Sequence, residues 1–209
     1  PLSGAFFSGN AAMSTDGKRI NYVILSMDSP QFWINDQCAK VILKAGNIFT
    51  SFAVEQGEVF FSSDNLTVAV KRLNDEAYQA QAIKEYYEMC SSDEGALPIP
   101  SGLIEAIQRA APFIEDDEKI SPVKLLVHSE GIEVSSKHGT DAYEELVEFP
   151  EPIELEAKSI IVDYNMLVHA LKKCDRFVVK DIARGQYSYR MIVLFGMNST
   201  VILNAMRGE

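Results

Sequence analysis

Apolar and polar residues change their spacing along the chain in a repeating cycle. A short alternating run gives way to a stretch with apolar residues three or four apart, and three further alternating runs follow, which predicts strand, helix and three strands. The cycle is complete three times. The first copy is residues 32–73, opening "FWINDQCAKVILKAG"; its helix starts at Asn35 or Asp36, both good caps, and ends near Gly46. Two of its strands meet at "EQGE", a glycine-containing hairpin. The second copy, residues 96–149, opens "ALPIPSGLIEAI" with Ser101 as cap and turns at "SEG" and "HGT". The third opens "SIIVDYNMLVHALKKC" with Asp163 as cap and turns near "RGQ" and "MNS".

Ahead of the first copy, "GAFFSGNAAMSTDGKRINYVILSM" supplies strands and no helix, like the back half of a fourth copy. The expected organisation is therefore a complete domain over residues 96–209 and a domain over residues 1–92 without its opening strand and helix. Polar "CSSDEGA" links them. Helices against antiparallel sheets make this an α+β architecture. Without a covering helix, Phe6 and Phe7 are expected to be poorly protected.

With 209 residues and 47% hydrophobic content, the chain can bury one large core or two ordinary ones. No apolar run is long enough for a membrane span. The N-terminus has neither an initiator Met nor a signal-peptide pattern and reads as the cut edge of a longer chain. Cys38, Cys90 and Cys174 are odd in number and lack CxxC spacing, which argues against a disulfide framework or a zinc site and favours a reducing cytoplasm. His128, His138 and His169 sit on separate elements with no metal-ligand spacing, and no phosphate loop, G-x-S-x-G or H-E-x-x-H pattern occurs. The expectation is a non-catalytic protein with no cofactor and no metal.

A net charge of -11 speaks against nucleic acid only if the cations are evenly spread. They are not. Acids gather at 115–118, 144–145 and 148–156, whereas every helix presents cations. In the first helix Cys38, Val41 and Ile42 are expected to face the sheet, leaving Lys40 and Lys44 outside; in the second Leu103, Ile104 and Ile107 form the apolar stripe, leaving Gln108 and Arg109. In the third, Met166, Leu167 and Leu171 pack, leaving His169, Lys172, Lys173 and Arg176 outside. Solvated helix faces would explain any one of these; three together suggest a shared basic surface.

"LSGAFF" followed by "TDGKRI" resembles a strand and the T-D-G-H-R-L turn of the bacterial DNA polymerase III beta subunit, the sliding clamp, with Lys18 in place of the usual His. "NAMRGE" is similar to that family's C-terminal M-P-M-R-L, with Ala205 at the Pro position. The resemblance covers essentially the whole chain, aligned with most of the family's middle domain and all of its C-terminal domain. It implies the DNA clamp fold: antiparallel sheets outside, helices lining a pore, and a homodimer ring in the full-length protein. It further implies a cytoplasmic processivity factor of DNA replication, a non-catalytic subunit that encircles duplex DNA without reading sequence. Lys40, Lys44, Arg109, Lys172 and Lys173 would face the DNA. The replicative polymerase, the clamp loader and repair proteins would be held through short peptide motifs, with no membrane involved. By position, the peptide pocket would take Leu2, Thr15, Gly17, Lys18, Arg19 and Ile20 from the first domain. From the second it would take Ile120, Asp163, Met166, Ile202, Leu203, Met206 and Arg207. The family's Pro and Arg near the linker are replaced here by Lys84 and Glu88, and its Asn and Tyr by Asp163 and Met166, so peptide preference is expected to differ. Two alternatives keep the fold: a two-domain clamp assembling as a trimer, and a phage or mobile-element clamp-like protein that binds partner peptides without encircling DNA.

Overall fold

The computed structural model describes residues 4–46, 48–73, 80–114, 121–184 and 186–206. The chain forms two compact units, Pro1–Met89 and Cys90–Glu209.

In the first unit, β1 (Gly4–Thr15) and β2 (Arg19–Asn35) form a long antiparallel hairpin, with register shifts on either side of Gly9. The end of β2 abandons alternation: Phe32, Trp33 and Ile34 are all buried. It feeds directly into α1 (Asp36–Ala45), where the Asn35 side chain accepts a hydrogen bond from Cys38 N at 2.8 Å, satisfying a donor the first helical turn leaves open. Cys38, Ala39 and Ile42 pack on Phe32, Ile34, Val59 and Val70. Val41, expected on this face, is 51% exposed. It lies roughly 100° around the helix from the centre of the packed stripe, too far to reach the sheet. Three short strands follow, β3 (Ser51–Glu55), β4 (Glu58–Ser62) and β5 (Thr67–Lys71), in that spatial order, with the expected turn at Gln56 and Gly57. Phe6 and Phe7 depart from expectation. Phe6 is buried, and Phe7 stacks on Phe32 with ring centroids 4.5 Å apart.

A helix that the hydrophobic pattern did not predict, α2 (Ala80–Cys90), follows. Its Ile83 is buried and its Tyr87 ring lies nearly parallel to Tyr22 of β2, with centroids 3.8 Å apart.

The second unit has two sheets. In one, β7 (Pro122–His128), β8 (Gly131–His138), β9 (Asp141–Glu148) and β10 (Lys158–Asp163) run in the order β10-β7-β8-β9. In the other, the short β6 (Leu97–Pro98) pairs with β11 (Arg176–Arg184), followed by β12 (Tyr187–Phe195) and β13 (Ser199–Asn204). The turns expected at SEG, HGT and MNS fall between β7 and β8, β8 and β9, and β12 and β13; in the one expected near RGQ, between β11 and β12, Gly185 lies outside the described residues. Helices α3 (Leu103–Ala110) and α4 (Tyr164–Leu171) touch each other and close one core, α3 through Leu103, Ala106, Ile107 and Ala110, α4 through Leu167, Val168, Ala170 and Leu171. The cap of α3 is corrected: Gly102, at φ 92, occupies the N-cap position and no side chain caps the helix. That left-handed backbone suits glycine and leaves Ser101 one residue too early to serve.

Candidate functional site

The Thr15–Arg19 turn is built by its own side chains. Thr15 Oγ1 donates to Arg19 O at 2.7 Å and accepts from Gly17 N at 3.1 Å. Asp16 Oδ1 accepts from both Lys18 N and Arg19 N at 3.0 Å, an Asx-type turn, and Gly17 supplies the left-handed φ of 87. Asp16 Oδ2 also holds Arg19 Nε at 3.0 Å. The carboxylate thus fixes both the loop and the guanidinium, leaving Lys18 exposed and Arg19 half-exposed. Thr15 and Ile20, opposite one another at the base of the turn, are buried.

In the second unit, Asp163 ends β10 and caps α4. Its Oδ1 accepts from Met166 N at 3.0 Å as expected, and Oδ2 accepts from Ser121 N at 3.4 Å. A recess of about 210 Å³ lined by Ala111, Ile114, Ser121, Tyr164 and Asn165 opens beside this cap. Ile202 and Leu203, expected to line a pocket, are buried strand residues of β13 opposite Val193 and Ile192. Met206 is half-buried, its N–H donating to Ile161 O at 2.8 Å. Of the expected pocket residues, Leu2, Ile120 and Arg207 lie outside the described residues.

The expected DNA-facing cations divide into two kinds. Lys44, Lys172 and Lys173 are exposed and form no ion pair with another described residue. Lys40 pairs with Asp36 at 3.1 Å, one turn back along α1. Arg109 is committed more fully: Nε and Nη2 bind the two oxygens of Glu145 on β9 at 2.9 and 2.5 Å, and Tyr143 Oη donates to the same carboxylate. The pair raises the Arg109 pKa further and lowers that of Glu145, chiefly through the hydrogen bond between them. Arg190 on β12 received no role from its sequence position. It binds Asp181 at 2.7 and 3.1 Å and Ser159 O at 2.8 Å, tying β12 and β11 to β10, a placement visible only once the strands are in register.

Of the histidines, His128 accepts from Glu130 N at 3.3 Å within its own turn. No group of three or more potential ligands is placed to hold a metal among the described residues. Among them, too, no helix is long and apolar enough to cross a membrane.

No family model matches the chain, and no curated protein matches it. Solved structures do. A DNA polymerase sliding clamp from Pseudomonas aeruginosa, crystallised with a ligand, matches with a TM-score of 0.74 at 14% identity, over 99% of this chain and 58% of that one. The Helicobacter pylori beta clamp in complex with 3,4-difluorobenzamide gives 0.75 at 15% identity, over 99% and 58%. DNA polymerase III subunit beta from Borrelia burgdorferi, in complex with a natural product, gives 0.75 at 11% identity, over 100% and 57%. The chain therefore has the sliding-clamp fold and spans about 58% of the length of the Pseudomonas clamp.

Proposed function

We propose that the chain is the peptide-capturing part of a sliding clamp, a non-catalytic processivity factor whose full-length homodimer encircles duplex DNA and tethers the replicative polymerase and other proteins. The observation that carries this reading is the match of the whole chain to clamps, with the side-chain-locked Thr15–Arg19 turn at the position where the resemblance puts the peptide pocket. Arg19 offers charged donors to an extended peptide, and Met206 and Met166 offer flexible apolar surface. A polymerase-tail peptide of the Q-L-x-L-F type is expected to bind with micromolar affinity, as short motifs with few anchors do. Arg19→Ala should weaken it by roughly 1–3 kcal/mol through loss of a charged hydrogen bond. Calorimetric titration decides: equal affinities for wild type and a folded variant would return Arg19 to an ordinary surface charge.

One observation favours the second reading, a clamp-like protein that holds partner peptides without encircling DNA. With Arg109 bound to Glu145 and Lys40 to Asp36, α1 and α3 present few uncommitted cations, and α1 exposes Val41 and Leu43 beside them.

A further inference from the structure

The acid-rich segment between β9 and β10 borders an apolar cleft of about 510 Å³ in the second unit. Leu97, Val127, Phe177 and Val179 line it from β6, β7 and β11; Ile153 and Leu155 line it from the segment itself. A cleft of this size falls within the roughly 300–1,000 Å³ of ordinary ligand pockets. The segment alternates as a strand does, Ile153 and Leu155 partly buried, Glu154 and Glu156 exposed. Yet it belongs to no sheet. It is tied down by Phe149 N to Glu130 O at 2.9 Å and Ile153 N to Ser129 O at 2.8 Å, after which no backbone hydrogen bond joins Glu154, Leu155 or Glu156 to another described residue. These free backbone groups are a template for another extended chain.

Charge specifies that chain. Glu148 at the end of β9 and Glu151, Glu154 and Glu156 along the segment are all exposed. Lys158, the cation among the described residues that line the cleft, is engaged, donating to Val179 O at 3.2 Å and lying 3.8 Å from Asp181.

We propose that this cleft and its acidic rim bind an extended peptide segment of another protein in which apolar residues alternate with lysine or arginine. The apolar side chains enter between Leu97, Phe177 and Leu155, the backbone pairs with residues 154–156, and the cations lie against Glu154 and Glu156. None of these residues belongs to the Thr15–Arg19 turn, the Asp163 cap or the helix cations, so the inference stands apart from the proposed clamp role.

The probe is the heptapeptide Lys-Val-Lys-Phe-Lys-Val-Lys, titrated against the full chain by fluorescence anisotropy and by amide shifts in NMR. Binding is expected with shifts centred on residues 153–158, Leu97 and Phe177. Glu154→Lys combined with Glu156→Lys, both at exposed positions, should weaken binding about tenfold or more with the melting temperature unchanged. N-methylation of alternate peptide nitrogens should abolish it. Equal binding by Lys-Ser-Lys-Ser-Lys-Ser-Lys would reduce the effect to general attraction and overturn the proposal, as would a charge-reversed variant that binds like wild type. Shifts at the cleft from indole but not from the heptapeptide would assign it to a small apolar molecule and overturn the proposal. Shifts there on concentrating the protein alone would assign it to a second copy and overturn the proposal equally.

Discussion

At Thr15–Arg19 the Thr15 hydroxyl and the Asp16 carboxylate find their partners within the turn itself, which is why its conformation was readable in five residues: Asx and hydroxyl turns close within the segment that encodes them. Arg109 is the opposite case. Helix spacing put it outside, correctly, but its partner Glu145 is 36 positions away and reaches it only because α3 packs on β9. That ion pair has a pH signature. Glu145 is held below its ordinary 4.5 by the Arg109 hydrogen bond and by Tyr143. A carboxylate depressed in the folded state stabilises the fold at pH values above its unfolded pKa, and the contribution is lost as pH falls through the lower folded value. Solvent exposure of the pair keeps it small. NMR titration of the Glu145 carboxyl should give a midpoint below 4.5 that rises in Arg109→Gln, with the Tyr143 hydrogen bond still holding it down in part. A midpoint indifferent to Arg109 would show that the pair does not persist in solution.

Among the elements, those marked by a cap, a glycine and a change of period were legible, α1 and α4 to within a residue of their caps. Helix α2 was not, although Ile83, Tyr87 and Cys90 follow the four- and three-residue spacing of a helix face, because it lacks a glycine stop and runs into a polar linker. The segment 152–157 shows the converse: Ile153 and Leu155 alternate with glutamates as a strand would, yet the segment pairs with no strand among the described residues, because pairing is a property of the fold that no local pattern encodes. The cations on the helices can be tested as a group. In the full-length protein, Lys44→Glu, Lys172→Glu and Lys173→Glu together should weaken DNA association and its salt dependence, since each uncommitted cation contributes counterion release. Arg109→Gln should do much less, because its charge is already spent on Glu145. A triple variant that associates with DNA as wild type does, measured across a salt series, would remove these helices from the DNA interface.

For the whole molecule, charge is mixed within the elements, with Glu85 and Glu88 on α2, Glu105 on α3 and exposed Lys71, Lys124 and Lys137 on strands, so the DNA-binding proposal rests on where Lys44, Lys172 and Lys173 lie and not on a separation of acids from cations. The two units are unequal in another way. In the second, two helices and two sheets close over one continuous buried cluster that runs from Leu103 to Leu203. In the first, the core around α1 has four buried residues, Phe32, Ile34, Val59 and Val70, ringed by half-exposed aromatic and aliphatic side chains, and Val41, Leu43 and Ile48 remain open to solvent. Apolar area withdrawn from water is the main favourable term in folding, so the local opening free energy should be lower in the first unit. Amide exchange in β3, β4 and β5 should be at least about tenfold faster, relative to unfolded-chain rates, than in β7, β8 and β12, and limited proteolysis should cut before Cys90 ahead of any cut in the second unit. Charge should not account for the difference, so added salt should leave the order of cleavage unchanged. Uniform protection across both units, with a single cooperative transition, would mean that the smaller core is not the weak point and that the two units unfold as one.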